Sequence, residues 1–304
     1  MNIVERVCTF DCQGEQLVGI VSEPAQPTAT GRGLLFAVGG PQYRAGSHRQ
    51  FTLMARNFAA QGIPVMRFDY RGMGDSSGAP RAFDATHDDL RAAIDHFMQT
   101  SPGVREVVLF GLCDAASAIA LYASRDVRVS GLILVNPWVR TEQGAARAML
   151  THYYVRRLFQ RELWSKVARA DFNYGAAFRS LRSLTRAARA PSGDVANETV
   201  DEVADDAARA RSSDAPNDFG APRLVPRMLA SLRRFPGRVL ILLSTEDLTA
   251  HEFSDLLSGS RDWRALTADA RFRTFNLPGA DHTFSRREWR ERANGVIRGW
   301  LATP

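Results

Sequence analysis

The order of hydrophobic and polar positions divides the chain into segments with different periods. Near the N-terminus, apolar and polar residues alternate in ERVCTF and QLVGIVSEP, and the turn Cys12-Gln13-Gly14-Glu15 joins the two segments. Alternation is typical of half-buried strands, because successive side chains point to opposite faces of a sheet. The pattern predicts an antiparallel β-hairpin.

Short, nearly continuous apolar runs follow, with helix-like segments between them. The runs are GLLFAVGG, IPVMRFDYRG, EVVLFGL and VSGLILVNP. Runs of this length, rich in Val, Leu and Ile, are typical of strands buried on both faces of a parallel sheet. Apolar residues with helical spacing occupy 50–60, 85–99 and 114–124. Strand and helix therefore alternate, which predicts an α/β fold.

The alternation stops between about residues 140 and 235. The first part of this stretch contains aromatic residues in HYYVRRLFQRELW and is expected to form helices. Residues 186–220 mix acids with Pro, Ser, Asn and Gly and are expected to be mobile. Strand-like runs return in GRVLILLSTED and RFRTFNLPGADH, and SRREWRERANGVIRGWL ends the chain with a helix.

Together these segments predict a mostly parallel eight-stranded sheet with helices on both faces. An inserted helical cap over 140–235 would follow the sixth strand, and residues 1–139 and 236–304 would form the core. This arrangement is that of the α/β-hydrolase fold.

Composition narrows the classes of protein that need to be considered. The net charge is +6, but all but one of the 39 basic residues are arginines, which indicates compositional bias more than a nucleic-acid-binding face. The three cysteines do not form a disulfide framework. The N-terminus lacks an apolar core of signal-peptide length, and no apolar stretch is long enough for a membrane span. We therefore expect a cytoplasmic protein that has no membrane span and does not bind nucleic acid.

The sequence GLCDA, residues 111–115, carries the clearest chemical signal. It lies between a predicted buried strand and a predicted helix, where hydrolases place a nucleophile in the pattern G-x-S-x-G. Here Cys113 replaces the serine and Ala115 the second glycine. A neighbouring imidazole and the N-terminus of the next helix would both favour the reactive thiolate. The alternative is that Cys113 is an inert buried residue.

Two further residues follow strands in the order that this fold requires, which is nucleophile, acid, histidine. Asp247 follows the seventh predicted strand and His282 the eighth. Asp247 would orient the imidazole, and His282 would take the proton of Cys113. Glu246 is an alternative for the acid, whereas Asp281 is expected to face solvent or cap a helix.

The loop after the third strand, VGGPQYRAGSHR, is expected to complete an oxyanion hole. One backbone donor would be the amide of Asp114, and the other that of Gly40 or Gln42, because Pro41 has no N–H.

Several other polar residues are candidates for weaker roles. Arg44, His48 and Arg49 either bind an anionic group of the substrate or stabilise their loop, and His152 could line the pocket. Cys8 and Cys12 are expected to be structural. No cluster of His, Cys, Asp and Glu has the spacing of a metal site, so we expect neither a metal nor a cofactor.

The chain resembles the exosortase A system-associated hydrolase 1 family of α/β-hydrolases. The resemblance rests on VGGPQYRAGSHRQF, FDYRGMGDSSG, GLCDAASA, LVNPW and STEDLTAHEF. It implies a bacterial hydrolase in organisms with an exosortase system and exopolysaccharide synthesis, with a cysteine at the elbow. FDYRGMGDSSG resembles a turn common in the superfamily, and its expected role is structural. A more distant resemblance is to dienelactone hydrolase, which also has a Cys-His-Asp triad but retains G-x-C-x-G.

We expect a hydrolase that acts on an ester, thioester or lactone through an acyl-cysteine intermediate, with a small molecule or an acyl carrier as substrate. The first alternative is an acyltransferase to a polysaccharide or another acceptor. An alternative of a different class is a catalytically silent binding protein that retains the fold. The sequence indicates no particular oligomeric state.

Overall fold

Eight strands form one sheet in the computed structural model, which describes residues 2–26, 31–40, 42–139 and 223–303. In chain order they are β1 Ile3–Cys12, β2 Glu15–Pro24, β3 Arg32–Ala37, β4 Val65–Phe68, β5 Glu106–Leu112, β6 Val129–Val135, β7 Arg238–Ser244 and β8 Phe272–Leu277. Across the sheet the order is β1-β2-β4-β3-β5-β6-β7-β8. Strand β2 pairs antiparallel with β1 and β4, and all other neighbouring strands are parallel. The predicted mostly parallel sheet is confirmed.

Seven α-helices connect or follow these strands in the described part of the chain. They are α1 Gln50–Ala60, α2 His87–Thr100, α3 Asp114–Tyr122, α4 Leu224–Arg234, α5 Leu248–Gly259, α6 Arg261–Thr267 and α7 Arg287–Ala302. The three helices predicted within the first half of the chain and the C-terminal helix are all present.

The N-terminal hairpin forms as its alternating pattern predicts. Cys12 pairs with Glu15 across a two-residue turn, in which Gln13 and Gly14 have φ of 56° and 84°. Positive φ at both central residues matches the right-handed twist of the flanking strands, which is why Gly is favoured there.

The buried strands separate two apolar layers, one on each face of the sheet. Along β5, Val107 and Leu109 belong to the layer that contains α2 and α3, while Val108 and Phe110 belong to the layer that contains α1 and α7. In the second layer the Phe110 ring stacks on Phe36 at 4.5 Å between centroids. Both faces of β5 are covered, so its sequence is continuously apolar instead of alternating.

The core resumes earlier than residue 236, where the sequence analysis sets the boundary. Helix α4 buries Leu224, Met228, Ser231 and Leu232, a stripe at i, i+4, i+7 and i+8, and its apolar members join the layer that contains α3. Residues 223–235 therefore pack with the core, because this stripe gives the helix one apolar face. The rest of the predicted cap, residues 140–222, lies outside the described residues.

The FDYRG turn after β4 is held by buried ion pairs. Asp89 of α2 accepts hydrogen bonds from the amide and guanidinium of Arg71 at 2.8–3.0 Å. Asp69 accepts from the amide of Arg44 at 2.6 Å and also binds its guanidinium. These contacts fasten the turn to α2 and to the loop after β3, which agrees with the structural role expected for it.

Candidate active site

Cys113 lies on a sharp turn between β5 and α3. Its backbone has φ of 62° and ψ of −124°, a region that residues other than Gly rarely adopt and that is associated with functional sites. The amide of Cys113 donates to Val135 O at 2.9 Å, and its carbonyl accepts from the Trp138 amide at 3.2 Å. The end of β6 therefore holds the turn, and the partly exposed thiol lies at the N-terminus of α3.

The close approach of α3 to β5 depends on Gly111. A Cβ atom at this position would lie 2.6 Å from backbone atoms of Ala115, so only glycine fits there. Ala115, which stands where the hydrolase pattern has glycine, is fully packed within the core.

Asp247 and His282 come together although 34 residues separate them in the chain. Oδ2 of Asp247 lies 2.9 Å from Nδ1 of His282. Asp247 is also the N-cap of α5, where its carboxylate accepts from the amides of Thr249 at 3.3 Å and Ala250 at 3.2 Å. This buried carboxylate is thus fixed in orientation, whereas Glu246, the alternative acid, is exposed.

Backbone hydrogen bonds join the loops that carry these two residues. The Thr245 amide donates to Leu277 O at 3.2 Å, and the Glu246 amide to Ala280 O at 3.0 Å. The Gly279 amide donates to the Thr245 hydroxyl at 2.8 Å. Asp281 precedes His282 and accepts from the amides of Thr283 and Ser285, so it closes the turn that contains His282. It does not cap the following helix, α7, whose N-cap is Arg286.

Asn136 is a supporting residue that the sequence analysis missed. It is fully buried at the end of β6, with φ of 45°. Its Nδ2 donates to Ser244 Oγ at 3.0 Å and to His282 O at 3.2 Å, while its Oδ1 accepts from the Ser244 amide at 2.8 Å. One side chain thus links the ends of β6 and β7 to the loop after β8 that carries His282. The asparagine before proline in LVNPW is the signal that could have identified it.

Electrostatics favour a protonated His282 beside Cys113. Burial by itself lowers the pKa of His282, but hydrogen bonding and charge interactions with Asp247 and Cys113 outweigh it and raise the pKa to about 10. An imidazolium held in this way stabilises a neighbouring thiolate. The three side chains can therefore support nucleophilic attack by sulfur.

The glycine loop after β3 contacts the elbow directly. The Gly40 amide donates to Oδ2 of Asp114 at 2.8 Å, and Oδ1 of the same carboxylate accepts from the Ala115 amide at 2.9 Å. Gln42, the other candidate donor, is half-buried in the same loop. The structure brings Gly40 and Asp114 together, but through the Asp114 side chain, which the sequence analysis did not consider.

The three described candidates for substrate binding differ in exposure. Arg44 is buried, and its guanidinium pairs with Asp69 and, at 2.7 Å, with Asp75. These contacts favour the alternative that it stabilises the loop. His48 and Arg49 are exposed, with φ of 54° and 56° at the start of α1. His152 lies outside the described residues.

The other two cysteines have no comparable setting. Both are buried in β1 without a disulfide, and burial raises the pKa of Cys8 and, to about 11, that of Cys12. Within the described ranges, no group of three or more His, Cys, Asp or Glu residues could hold a metal ion. Nor is any described helix both long and apolar enough to cross a membrane.

Residues 34–293 match the alpha/beta hydrolase family, so the chain belongs to this family. It is therefore an enzyme of the hydrolase class. A comparison with curated proteins finds no match.

Solved structures of hydrolases share the fold at low sequence identity. An esterase of Pyrococcus furiosus, PF2001, is 13% identical with a TM-score of 0.59, covering 99% of this chain and 92% of its own. Est1E of Butyrivibrio proteoclasticus, solved with ferulic acid, is 13% identical with a TM-score of 0.57 and 97% coverage of both chains. Proline iminopeptidase of Mycobacterium smegmatis is 16% identical with a TM-score of 0.58, also with 97% coverage of both. At these identities the likeness concerns the fold alone.

Proposed function

We propose that the protein hydrolyses an ester, thioester or lactone through an acyl-cysteine intermediate, with Cys113 as nucleophile. The observation that carries the proposal is the hydrogen-bonded pair of Asp247 and His282, with Cys113 beside it. Burial lowers the pKa of His282, but Asp247 and the thiol of Cys113 together raise it. In this proposal Asp247 orients the imidazole and stabilises its protonated form.

The reaction divides into two steps. The sulfur of Cys113 attacks the acyl carbon, and the electron pair of the carbonyl moves to its oxygen. As that pair returns, the leaving group departs and takes a proton from His282. Water, deprotonated by His282, then attacks the thioester and releases the acid and the thiol. The proposed donors to the oxyanion are the amides of Asp114 and either Gly40 or Gln42.

Thiolates expel good leaving groups readily, so activated esters and thioesters suit a cysteine nucleophile better than peptides do. The esterase activity named for PF2001 and the ferulic acid bound to Est1E support an acyl substrate. The resemblance to exosortase-associated hydrolases supports a role in exopolysaccharide-producing bacteria, with a small molecule or an acyl carrier as substrate, and the unpaired cysteines support a cytoplasmic location.

The test has two parts. Iodoacetamide labelling of Cys113 is followed by mass spectrometry across pH in the wild type and in His282→Ala, with buried Cys8 and Cys12 as internal controls. Labelling that persists well below about pH 8 and weakens in the variant is expected of an imidazole-activated thiolate. An unreactive Cys113, or one indifferent to His282, would contradict the proposal and favour a catalytically silent binding protein.

The second part identifies the chemistry. The wild type and Cys113→Ser are supplied with p-nitrophenyl acetate and with an acyl thioester of N-acetylcysteamine, and the acyl-enzyme is trapped for mass spectrometry. Acylation confined to Cys113 is expected. Faster release of the acyl group to an added sugar or alcohol than to water would favour the acyltransferase alternative.

A further inference from the structure

One of the proposed oxyanion donors, the Gly40 amide, already has a partner in the carboxylate of Asp114. Its Oδ2 accepts from the Gly40 amide at 2.8 Å and its Oδ1 from the Ala115 amide at 2.9 Å. The loop contacts it so closely that a Cβ on Gly39 would lie 1.9 Å from Oδ1. A carboxylate oxygen of the protein itself is therefore bound by an amide that the proposed reaction assigns to the substrate oxyanion.

Burial, backbone amides and the charge of His282 all act on this carboxylate. Burial raises the pKa of Asp114, and the amides of Gly40, Ala115 and Asp114 itself, together with the charge of His282, act in the opposite direction. The buried Tyr70 also interacts with it. The position of the carboxylate thus depends on backbone N–H groups at the N-terminus of α3 and in the glycine loop.

We propose that the Asp114 side chain is an internal plug, which fills the oxyanion hole of the free enzyme and has to leave it before acylation. This inference rests on the proposed acyl chemistry. An oxyanion formed by attack of Cys113 needs the Gly40 amide in the proposed reaction, and this N–H cannot bind the oxyanion while it donates to Asp114 Oδ2. Rotation of the Asp114 side chain away from Gly40 frees this amide without any change in the backbone turn at Cys113.

The plug restricts the reaction to substrates whose binding displaces it. A small activated ester has few other contacts with which to do so, whereas a larger acyl substrate can use its binding energy for the displacement. The aspartate that follows Cys113 in GLCDA would in this way contribute to specificity.

The experiment compares two reactions of the same thiol. Acylation by p-nitrophenyl acetate forms an oxyanion and needs the donors, whereas alkylation by iodoacetamide displaces iodide and forms no oxyanion. Both rates are measured in the wild type, Asp114→Asn and Asp114→Ala, with Glu246→Gln as a control for the loss of an exposed carboxylate.

We expect acylation at about pH 8 to rise roughly ten- to a hundredfold in Asp114→Ala, and less in Asp114→Asn, whose neutral amide oxygen is a weaker acceptor. Alkylation is expected to stay within about twofold of the wild type in all variants. A merely structural role of Asp114 would instead lower both rates together.

A second measurement does not depend on activity. Crystals of the wild type and of Asp114→Ala are soaked in bromide, and anomalous scattering locates the ion. Bromide at the amides of Gly40 and residue 114 in the variant, and its absence there from the wild type, is expected.

The results separate the two proposals. Variants that acylate no faster than the wild type while alkylation is normal would overturn the plug. So would acylation absent from every variant, because freeing the donors would then have released no activity. A Cys113 indifferent to His282 would overturn the proposed function, while the bromide result would still report on the plug.

Discussion

Replacing Asn136 is the most direct test of which hydrogen bonds hold the loop that carries His282. We consider its replacement by Gly and by Ala, both of which remove all three side-chain hydrogen bonds to Ser244 and His282. Asn136 has φ of 45°, which Gly adopts without strain. Alanine there carries a steric cost of about 1–2 kcal/mol.

The expected loss of stability follows from the groups left behind. The Ser244 amide is a buried donor whose partner disappears, and one such unsatisfied group costs about 1–3 kcal/mol. With the weakened contact to His282, Asn136→Gly is expected to lower the free energy of unfolding by about 2–4 kcal/mol. Asn136→Ala is expected to lose about 1 kcal/mol more, because its backbone strain exceeds the entropy that Gly adds to the unfolded chain.

Urea unfolding, followed by circular dichroism, measures these differences, and Asn57→Ala is the control. Asn57 is exposed on α1, where its side-chain oxygen accepts a hydrogen bond from Gln61. The Asn57→Ala variant is therefore expected to change the free energy of unfolding by no more than about 0.5 kcal/mol. If Asn136→Gly is no less stable than this control, the buried hydrogen bonds do not support the loop. Equal stability of the Gly and Ala variants would refute the argument from φ.

Three further changes test the site. Asp247→Asn keeps a helix-capping side chain but removes the charge beside His282. Turnover of p-nitrophenyl acetate is therefore expected to fall roughly 10²- to 10⁴-fold, whereas the control Glu246→Gln is expected to have no effect. Equal losses of turnover in both variants would contradict the assignment of Asp247 as the acid. The folded-state pKa of His282 is raised from 6.5 to about 10, so its contribution to stability is complete below about pH 6.5 and is lost as the pH rises through 10; a His282→Gln variant that keeps the wild-type decline over this range would refute the linkage. Gly39→Ala would bring a methyl group within 1.9 Å of Asp114 Oδ1 and 2.8 Å of the Ala115 nitrogen, so thermal denaturation is expected to show a loss of about 1–3 kcal/mol, which Asp114→Ala should relieve only in part.

Much of the fold could be predicted because local sequence and burial agree. From Val107 to Leu112, β5 is continuously apolar because both faces of the strand are covered. Helices α1 and α7 carry apolar stripes on the side that they bury. The predicted boundary before α4 is too late, because the apolar stripe of residues 224–234 does not show in the sequence which part of the protein this helix packs against.

Of the candidate site, too, some residues could be predicted from the sequence and some could not. GLCDA, Asp247 and His282 are visible in the sequence because each follows a strand, and parallel strands bring their carboxyl ends to one edge of the sheet. The sequence favours Asp247 over Glu246, and the structure supplies the physical reason for the difference, because it is the Asp247 side chain that turns inward and caps α5.

The sequence by itself determined the class of fold, the order of the strands along the chain and the residue types available for chemistry. Only the tertiary structure decided which of those residues meet. In it, Asn136 donates a hydrogen bond to the backbone of His282, Arg44 forms an ion pair with Asp69, and the Asp114 carboxylate accepts from the Gly40 amide. The physical reason is that periodicity reports which face of an element is buried, whereas hydrogen bonds between distant loops depend on the distances and directions that packing sets.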